Sequence, residues 1–269
     1  MISYNRLTVN NTVEFEGLGL HSGAPVRVRV NPGESGIAFR SGASRWEAIP
    51  ENVADTTRCT RLGDVATIEH MMSALAGLEV TDAEIEVEGG EMPALDGSSR
   101  EFASRLDDMG LANIGEAEAQ PPFKRVFLQD EAVKIAVARG EGHWKYTYDL
   151  GDRWPHQMEY ESHNATSEYR REIASARTFA LAEEVPVILQ LGLAKGLDQD
   201  SALILGIEGY KNEPRFPDEP ARHKLLDLIG DLYLAGIPIR FLNVSAERSG
   251  HASNVKAAAL IRKMVGSEE

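Results

Sequence analysis

The feature that most constrains this chain is a pattern of elements that occurs twice. In the first part, residues 12–20, 26–30 and 36–39 read as strands, with V-R-V-R-V alternating strictly and Ser-Gly and Pro-Gly turns between them. A helix follows, with Ile68, Met71, Met72 and Leu75 on one face, Thr67 as its N-cap and Gly77 near its end. D-A-E-I-E-V-E at 82–88 then alternates as a half-buried strand, and residues 100–109 read as an amphipathic helix. Further on, strands at 132–137 and 145–150 precede a helix at 220–235, a strand at 239–244 and a last helix from about Asn254. Helix, glycine and strand therefore recur at 69–88 and 222–247. This hints at duplication without proving it, because the order is common in any α+β protein.

A chain of 269 residues exceeds the usual single-domain size, and two domains are expected. The stretch N-I-G-E-A-E-A-Q-P-P-F at 113–123 gathers polar residues and a proline pair and reads as the linker. The expected domains are residues 1–115 and 123–269.

The balance of 28 cations against 42 anions gives a net charge of −14. That opposes nonspecific binding to nucleic acid or to an anionic membrane surface, so any anionic ligand must be met by local cations. The lone Cys59 excludes an internal disulfide, no apolar run is long enough to span a bilayer, and the N-terminus lacks a secretory apolar core. A cytoplasmic monomer without nucleic-acid partners or stable membrane insertion is expected.

The chemistry begins on the helix E-P-A-R-H-K-L-L-D-L-I-G-D-L. Leu225, Leu228, Ile229 and Leu232 form its core stripe, while His223, Asp227 and Asp231 recur every fourth residue on another face. Side chains at i and i+4 stand roughly 5–6 Å apart at Cβ. His223 and Asp227 read either as two ligands of one metal or as a solvated His–Asp pair. T-I-E-H strengthens the first reading: His70 supplies a third ligand, a fourth position stays open, and Glu69 beside it is placed to act as base. His251, in the loop R-S-G-H-A, reads singly as an ordinary loop histidine. His21, His143, His156 and His163 lack such partners; His21 sits in a glycine-rich turn that could approach a ligand.

G-L-G-L-H-S-G at 17–23, T-I-E-H at 67–70, M-P-A-L-D-G-S at 92–98, A-R-T-F at 176–179, R-H-K-L-L-D-L-I-G-D-L at 222–232 and S-G-H-A at 249–252 together resemble the motif series of the UDP-3-O-acyl-N-acetylglucosamine deacetylases. Six motifs occur in the family's order across nearly the whole chain. The resemblance implies an α+β fold of two similar sheet-plus-helix domains, with helices between outer sheets and the site at the domain interface. It implies zinc at His70, His223 and Asp227, a general base at Glu69, a general acid at His251 held by Asp231, and an oxyanion donor at Thr178. Lys224, Phe179, Arg248 and Gly196 would contact an acylated UDP-amino sugar, and residues 184–193 would line a passage for its acyl chain unless they are ordinary core.

Such a set suits amide hydrolysis, which needs a strong nucleophile, a sink for the oxyanion and an acid for a poor amine leaving group. Two histidines and a carboxylate also suit Fe(II). Cys59 reads as a small buried core residue rather than an extra soft ligand. Arg177, Arg222, Lys224 and Arg248 fall in or beside the motifs, so a cationic pocket for the diphosphate is expected. Three departures bear on the substrate: Leu197 and Asp198 where the family has a second glycine and a small polar residue, Leu150 where an aromatic is usual in a shortened stretch, and Pro220 before R-H-K. They leave open a paralogue acting on another N-acetylated sugar nucleotide. A noncatalytic metal-binding protein on the same fold is a third reading.

Overall fold

The computed structural model describes residues 1–119, 121 and 125–266. The first half runs through strands β1 (Ile2–Val9), β2 (Val13–Leu18), β3 (Pro25–Pro32), β4 (Ile37–Ser41), β5 (Ser44–Glu47), β6 (Val53–Asp55) and β7 (Arg61–Leu62). Helix α1 (Glu69–Gly77), β8 (Ala83–Glu88), α2 (Arg100–Met109) and β9 (Leu111–Ala119) complete it. The second half contains β10 (Val126–Asp130), β11 (Val133–Arg139), β12 (Trp144–Asp149), β13 (Gln157–Ser162), α3 (Ala165–Glu168), β14 (Phe179–Leu181) and α4 (Val185–Gln190). It ends with β15 (Leu203–Leu205), α5 (Glu219–Tyr233), β16 (Leu242–Glu247) and α6 (His251–Gly266).

The duplication is topological. One five-stranded sheet runs β2-β3-β8-β4-β5 and the other β10-β11-β16-β12-β13. In each, a hairpin meets a late strand antiparallel, and that strand lies parallel to the first strand of a second hairpin. In each, the late strand follows a buried helix, α1 or α5, and precedes a second helix, α2 or α6. Strand alternation explains the layering: Val26, Val28 and Val30 of β3 are buried, while Arg27 and Arg29 reach Glu16, Glu14, Glu86 and Glu88 on the outer face. Exposed pairs of this kind contribute only ~0–1 kcal/mol each, so they solubilise the face more than they hold it.

The two helix pairs lie between the sheets and share one hydrophobic core. Where α5 crosses α1, Gly230 meets the Glu69 carbonyl; a Cβ there would stand 2.1 Å from that oxygen. The close approach brings the N-terminal turn of α1 against the face of α5 that carries His223 and Asp227.

Several boundaries differ from expectation. Residues 113–119 of the expected linker belong to β9, which pairs antiparallel with β1, so the polar residues lie on an edge rather than in a loop; Gln120, Pro122 and Phe123 lie outside the described residues. Thr67 does not cap α1: it takes a left-handed φ of 62° and its hydroxyl bonds Glu91 Oε1 at 3.3 Å. Residues 239–241 form a 3₁₀ turn, and the strand runs three residues later than the apolar pattern suggested. The last helix starts at His251, because Gly250 and Ser253 close its first turn through the Ser253 hydroxyl.

Candidate metal centre

His70 on α1 and His223 and Asp227 on α5 are all buried, and one ligand atom from each lies within 4.8 Å of the others. His70 Nε2 is 3.6 Å and His223 Nε2 3.5 Å from Asp227 Oδ1, with the rings at 86° and 5.1 Å between centroids. His223 Nδ1 donates to the Ala176 carbonyl at 3.0 Å, which leaves Nε2 as the free lone pair. Burial pushes the His223 imidazole down to about 4, so it is neutral and ready to ligate.

Asp227 carries the decisive observation. Its Oδ2 accepts from Lys224 Nζ at 3.0 Å, whereas its Oδ1 is buried without a hydrogen-bond partner and faces both imidazoles. An orphaned buried carboxylate oxygen is costly to keep unless a cation takes it up. Burial opposes the Asp227 charge, yet His223 and Lys224 outweigh it and hold the carboxyl well below its usual range. The donor set therefore fits a divalent metal, with an anionic oxygen and two imidazoles already turned towards one point.

A second pair lies alongside. His251 Nδ1 is 3.0 Å from Asp231 Oδ2, and its Nε2 is 3.8 Å from Glu69 Oε1. Burial works against an imidazolium here, but Asp231 and Glu69 carry His251 up to about 9. Glu69 itself is pushed up by burial, with His251 and His70 pulling against that shift. Base and acid candidates thus meet in one cavity, 3.8 Å apart, each with a raised proton affinity.

That cavity, of about 680 Å³, is lined by Glu69, His70, His223, Asp227 and His251 together with Thr178, Phe179, Tyr148 and Lys224. The family model for UDP-3-O-acyl N-acetylglycosamine deacetylase matches residues 6–263. The chain belongs to that deacetylase family. Among proteins named UDP-3-O-acyl-N-acetylglucosamine deacetylase, it is similar to that of Nostoc sp., at 36% identity over 85% of this chain and 88% of that one. To those of Anaeromyxobacter dehalogenans and Myxococcus xanthus it is 35% and 32% identical, each over 98% of this chain and 89% and 87% of theirs.

Family membership leaves each side chain to be placed on this structure. Thr178 and Phe179 enter the cavity from β14 and the residue before it, and the Phe179 ring packs edge-on to His223. Leu197 also lines it. The apolar residues Val185, Ile188, Leu189 and Leu193 form part of its wall, and α4 buries none of its residues, which removes the ordinary-core reading of this segment.

The expected cationic pocket is not built from the arginines the motifs suggested. Arg177 is buried and its guanidinium is spent on Glu219 Oε1 at 2.9 Å. Arg222 pairs with Asp218 and Glu172 and is sandwiched between the rings of Tyr160 and Phe216. Arg248 pairs with Asp149 at 2.8 Å and is not part of the lining. For Arg177 and Arg222 a carboxylate nearby in space, invisible in the motif, has claimed the charge, whereas the Arg248–Asp149 pair is a solvent-exposed contact. Lys224 and Arg58 are the lysine and arginine that line the cavity among the described residues, and Arg58 was missed. Gly196 also stays behind the lining: its N–H donates to the Leu20 carbonyl at 3.1 Å, and a Cβ would stand 2.3 Å from the Gly19 oxygen.

Sequence reasoning also missed two residues that hold Glu69 and Asp231. The Thr60 hydroxyl donates to Asp231 Oδ1 at 2.5 Å while its N–H donates to Glu69 Oε2 at 3.0 Å, and the Asn254 amide donates to Asp231 Oδ2 at 3.0 Å. Nothing in their local sequence marks them. Cys59, next to Thr60, is a buried thiol pushed up to about 12 by burial and stands outside the ligand cluster. His21 does reach the cavity, as its glycine-rich turn allowed, with both ring nitrogens buried and unpartnered.

Proposed function

We propose that the protein hydrolyses the N-acetyl amide of UDP-3-O-acyl-N-acetylglucosamine, releasing acetate, with zinc at His70, His223 and Asp227. The reading is carried by the orphaned Asp227 Oδ1, set between two imidazole nitrogens in the cavity that also holds Glu69 and His251. When bound, a divalent zinc ion supplies Lewis acidity, which makes water acidic near neutral pH and draws charge from a carbonyl oxygen.

The chain's own residues do the rest. Glu69, its proton affinity raised by burial, accepts the proton of the attacking water. His251, kept charged by Asp231, delivers a proton to the leaving nitrogen. Asp231 fixes the imidazole through Nδ1, so Nε2 is the atom that gives up the proton. Thr178 offers its hydroxyl to the oxyanion, Phe179 and Lys224 contact the sugar, and the apolar wall formed by α4 takes the acyl chain. The two domains in this reading, expected at residues 1–115 and 123–269, meet after β9, which carries the first one on to Ala119; the first brings Glu69 and His70 and the second the remaining groups. A monomeric, cytoplasmic enzyme belongs to the same proposal.

Leu197 in the lining favours one alternative, a paralogue that deacetylates another N-acetylated sugar nucleotide. Acetate release by the zinc-loaded protein separates the two. Rapid release from the acylated UDP-sugar, with little from the form lacking the acyl chain, is the expected result; no release from either, with metal bound, would overturn the proposed substrate.

A further inference from the structure

A second cluster of metal-ligating side chains lies away from the cavity, on the solvent face of the second sheet. His143 immediately precedes β12 and His163 immediately follows β13. The register that pairs Trp144 with Ser162 sets these two histidines opposite each other. Trp144 and Ser162 point into the core, so by strand alternation His143, His163 and Glu161 share the outer face. The two rings are 5.4 Å apart between centroids, and His143 Nε2 is 2.6 Å from Glu161 Oε1. One ligand atom from each of the three lies within 4.8 Å of the others.

The backbones beneath are fixed. The His143 N–H donates to Asn243 Oδ1 at 3.0 Å and its carbonyl accepts from Val244 at 2.8 Å. His163 is followed by Asn164, whose side chain accepts from the Ser167 N–H at 2.9 Å and caps α3. Little backbone freedom remains to be lost when the three side chains converge. Lys145, the neighbouring cation on this face, is paired with Glu159 at 2.8 Å and acts on Glu161 only as a nearby charge. The His163 ring has no hydrogen-bond partner among the described residues.

We propose that His143, Glu161 and His163 form a second divalent transition-metal site. Two imidazoles and one carboxylate are the ligand types of the buried centre, suited to Zn²⁺ and its neighbours. The exposed ligands compete with water, and binding replaces the His143–Glu161 contact, so this site fills at higher free metal than the buried one. It ties together the ends of the β12/β13 hairpin, whose β13 is an edge strand, and stabilises the folded protein by mass action.

The test uses the full-length protein with one equivalent of zinc already bound, dialysed against rising free Zn²⁺, with metal content measured for wild type, His163→Ala and the double variant His143→Ala/His163→Ala. A second, weaker equivalent is expected in wild type and in neither variant. Unchanged acetate release in both variants would show that the loss is not misfolding. Cu²⁺ added to the zinc-loaded protein should give an electron paramagnetic resonance signal with coupling to two imidazole nitrogens, which the double variant lacks. A single equivalent in wild type, or a second equivalent that persists in the double variant, overturns the proposal.

Discussion

The two halves share a strand order and differ in what their buried helices present. α1 is nine residues long, wholly buried, and offers adjacent residues, Glu69 and His70, from its first turn. α5 is fifteen residues long and offers His223, Asp227 and Asp231 along one line at four-residue spacing. The helices that follow the late strands diverge in the same way: α6 begins with His251, whereas α2 begins with the exposed Arg100. The short elements inserted before the buried helix also differ. Between β5 and α1 the chain delivers Thr60, which holds Glu69 and Asp231; between β13 and α5 it delivers Thr178, Phe179 and the apolar α4. A duplicated scaffold thus places two helices in mutual contact, and asymmetric decoration turns their crossing into a site that neither half completes.

The sharpest way to separate the two contributions is to remove one group from each helix. Asp227→Ala should empty the buried site and cut kcat/KM by at least about 10⁴-fold, while Glu69→Ala should keep the metal and lose roughly 10²- to 10⁴-fold in kcat. Metal content measured beside turnover tests the division; full metal in Asp227→Ala, or full activity in Glu69→Ala, would break it. Arg177→Met comes next. It leaves Glu219 buried and unpaired and should destabilise the second half by about 3–5 kcal/mol in urea unfolding. If its main effect were instead a raised KM with stability intact, Arg177 would be a substrate cation after all.

Asp231→Asn sharpens the comparison at α6. The His251 pKa is raised above its ordinary value, so the imidazolium is present through neutral pH and is lost as pH rises through about 9. A dication in the cluster lowers that limit. In the variant the basic limb of the pH–rate profile should move to lower pH and kcat should fall by about tenfold to a hundredfold; an unmoved limb would detach Asp231 from the acid. The smallest effect is expected at the helix crossing. Gly230→Ala must push α1 and α5 apart, destabilising by ~1–3 kcal/mol and lowering kcat through the displaced Glu69. Gly209→Ala, where an added Cβ meets nothing within 4 Å, is the matched control.

Much of the site was legible in the chain because its groups lie on regular elements. The four-residue spacing of His223, Asp227 and Asp231 fixes them on one helical face, and Glu69 and His70 follow from a helix start. β3 and β8 were readable because valine and isoleucine alternate with charges on a half-buried sheet. β1 and β9 were not, since each is a polar edge strand stabilised by the other more than a hundred residues away, and the polar residues of β9 mimic a linker. Arg177 and Arg222 misled for the same reason: a guanidinium beside a motif looks free until the carboxylate that holds it is located in space.

By itself the sequence determined the α+β pattern and put His223, Asp227 and Asp231 on one helical face, because local periodicity is a property of the chain; the acid role of His251 came only from the family resemblance. Only the tertiary structure decided which charges are spent within the fold and which face the cavity. It also decided that Thr60 holds Glu69 and Asp231, that Asn254 holds Asp231, and that Asp227 keeps one oxygen unpartnered. Those facts depend on distances between segments, and distance across a fold is set by packing, which no local pattern records.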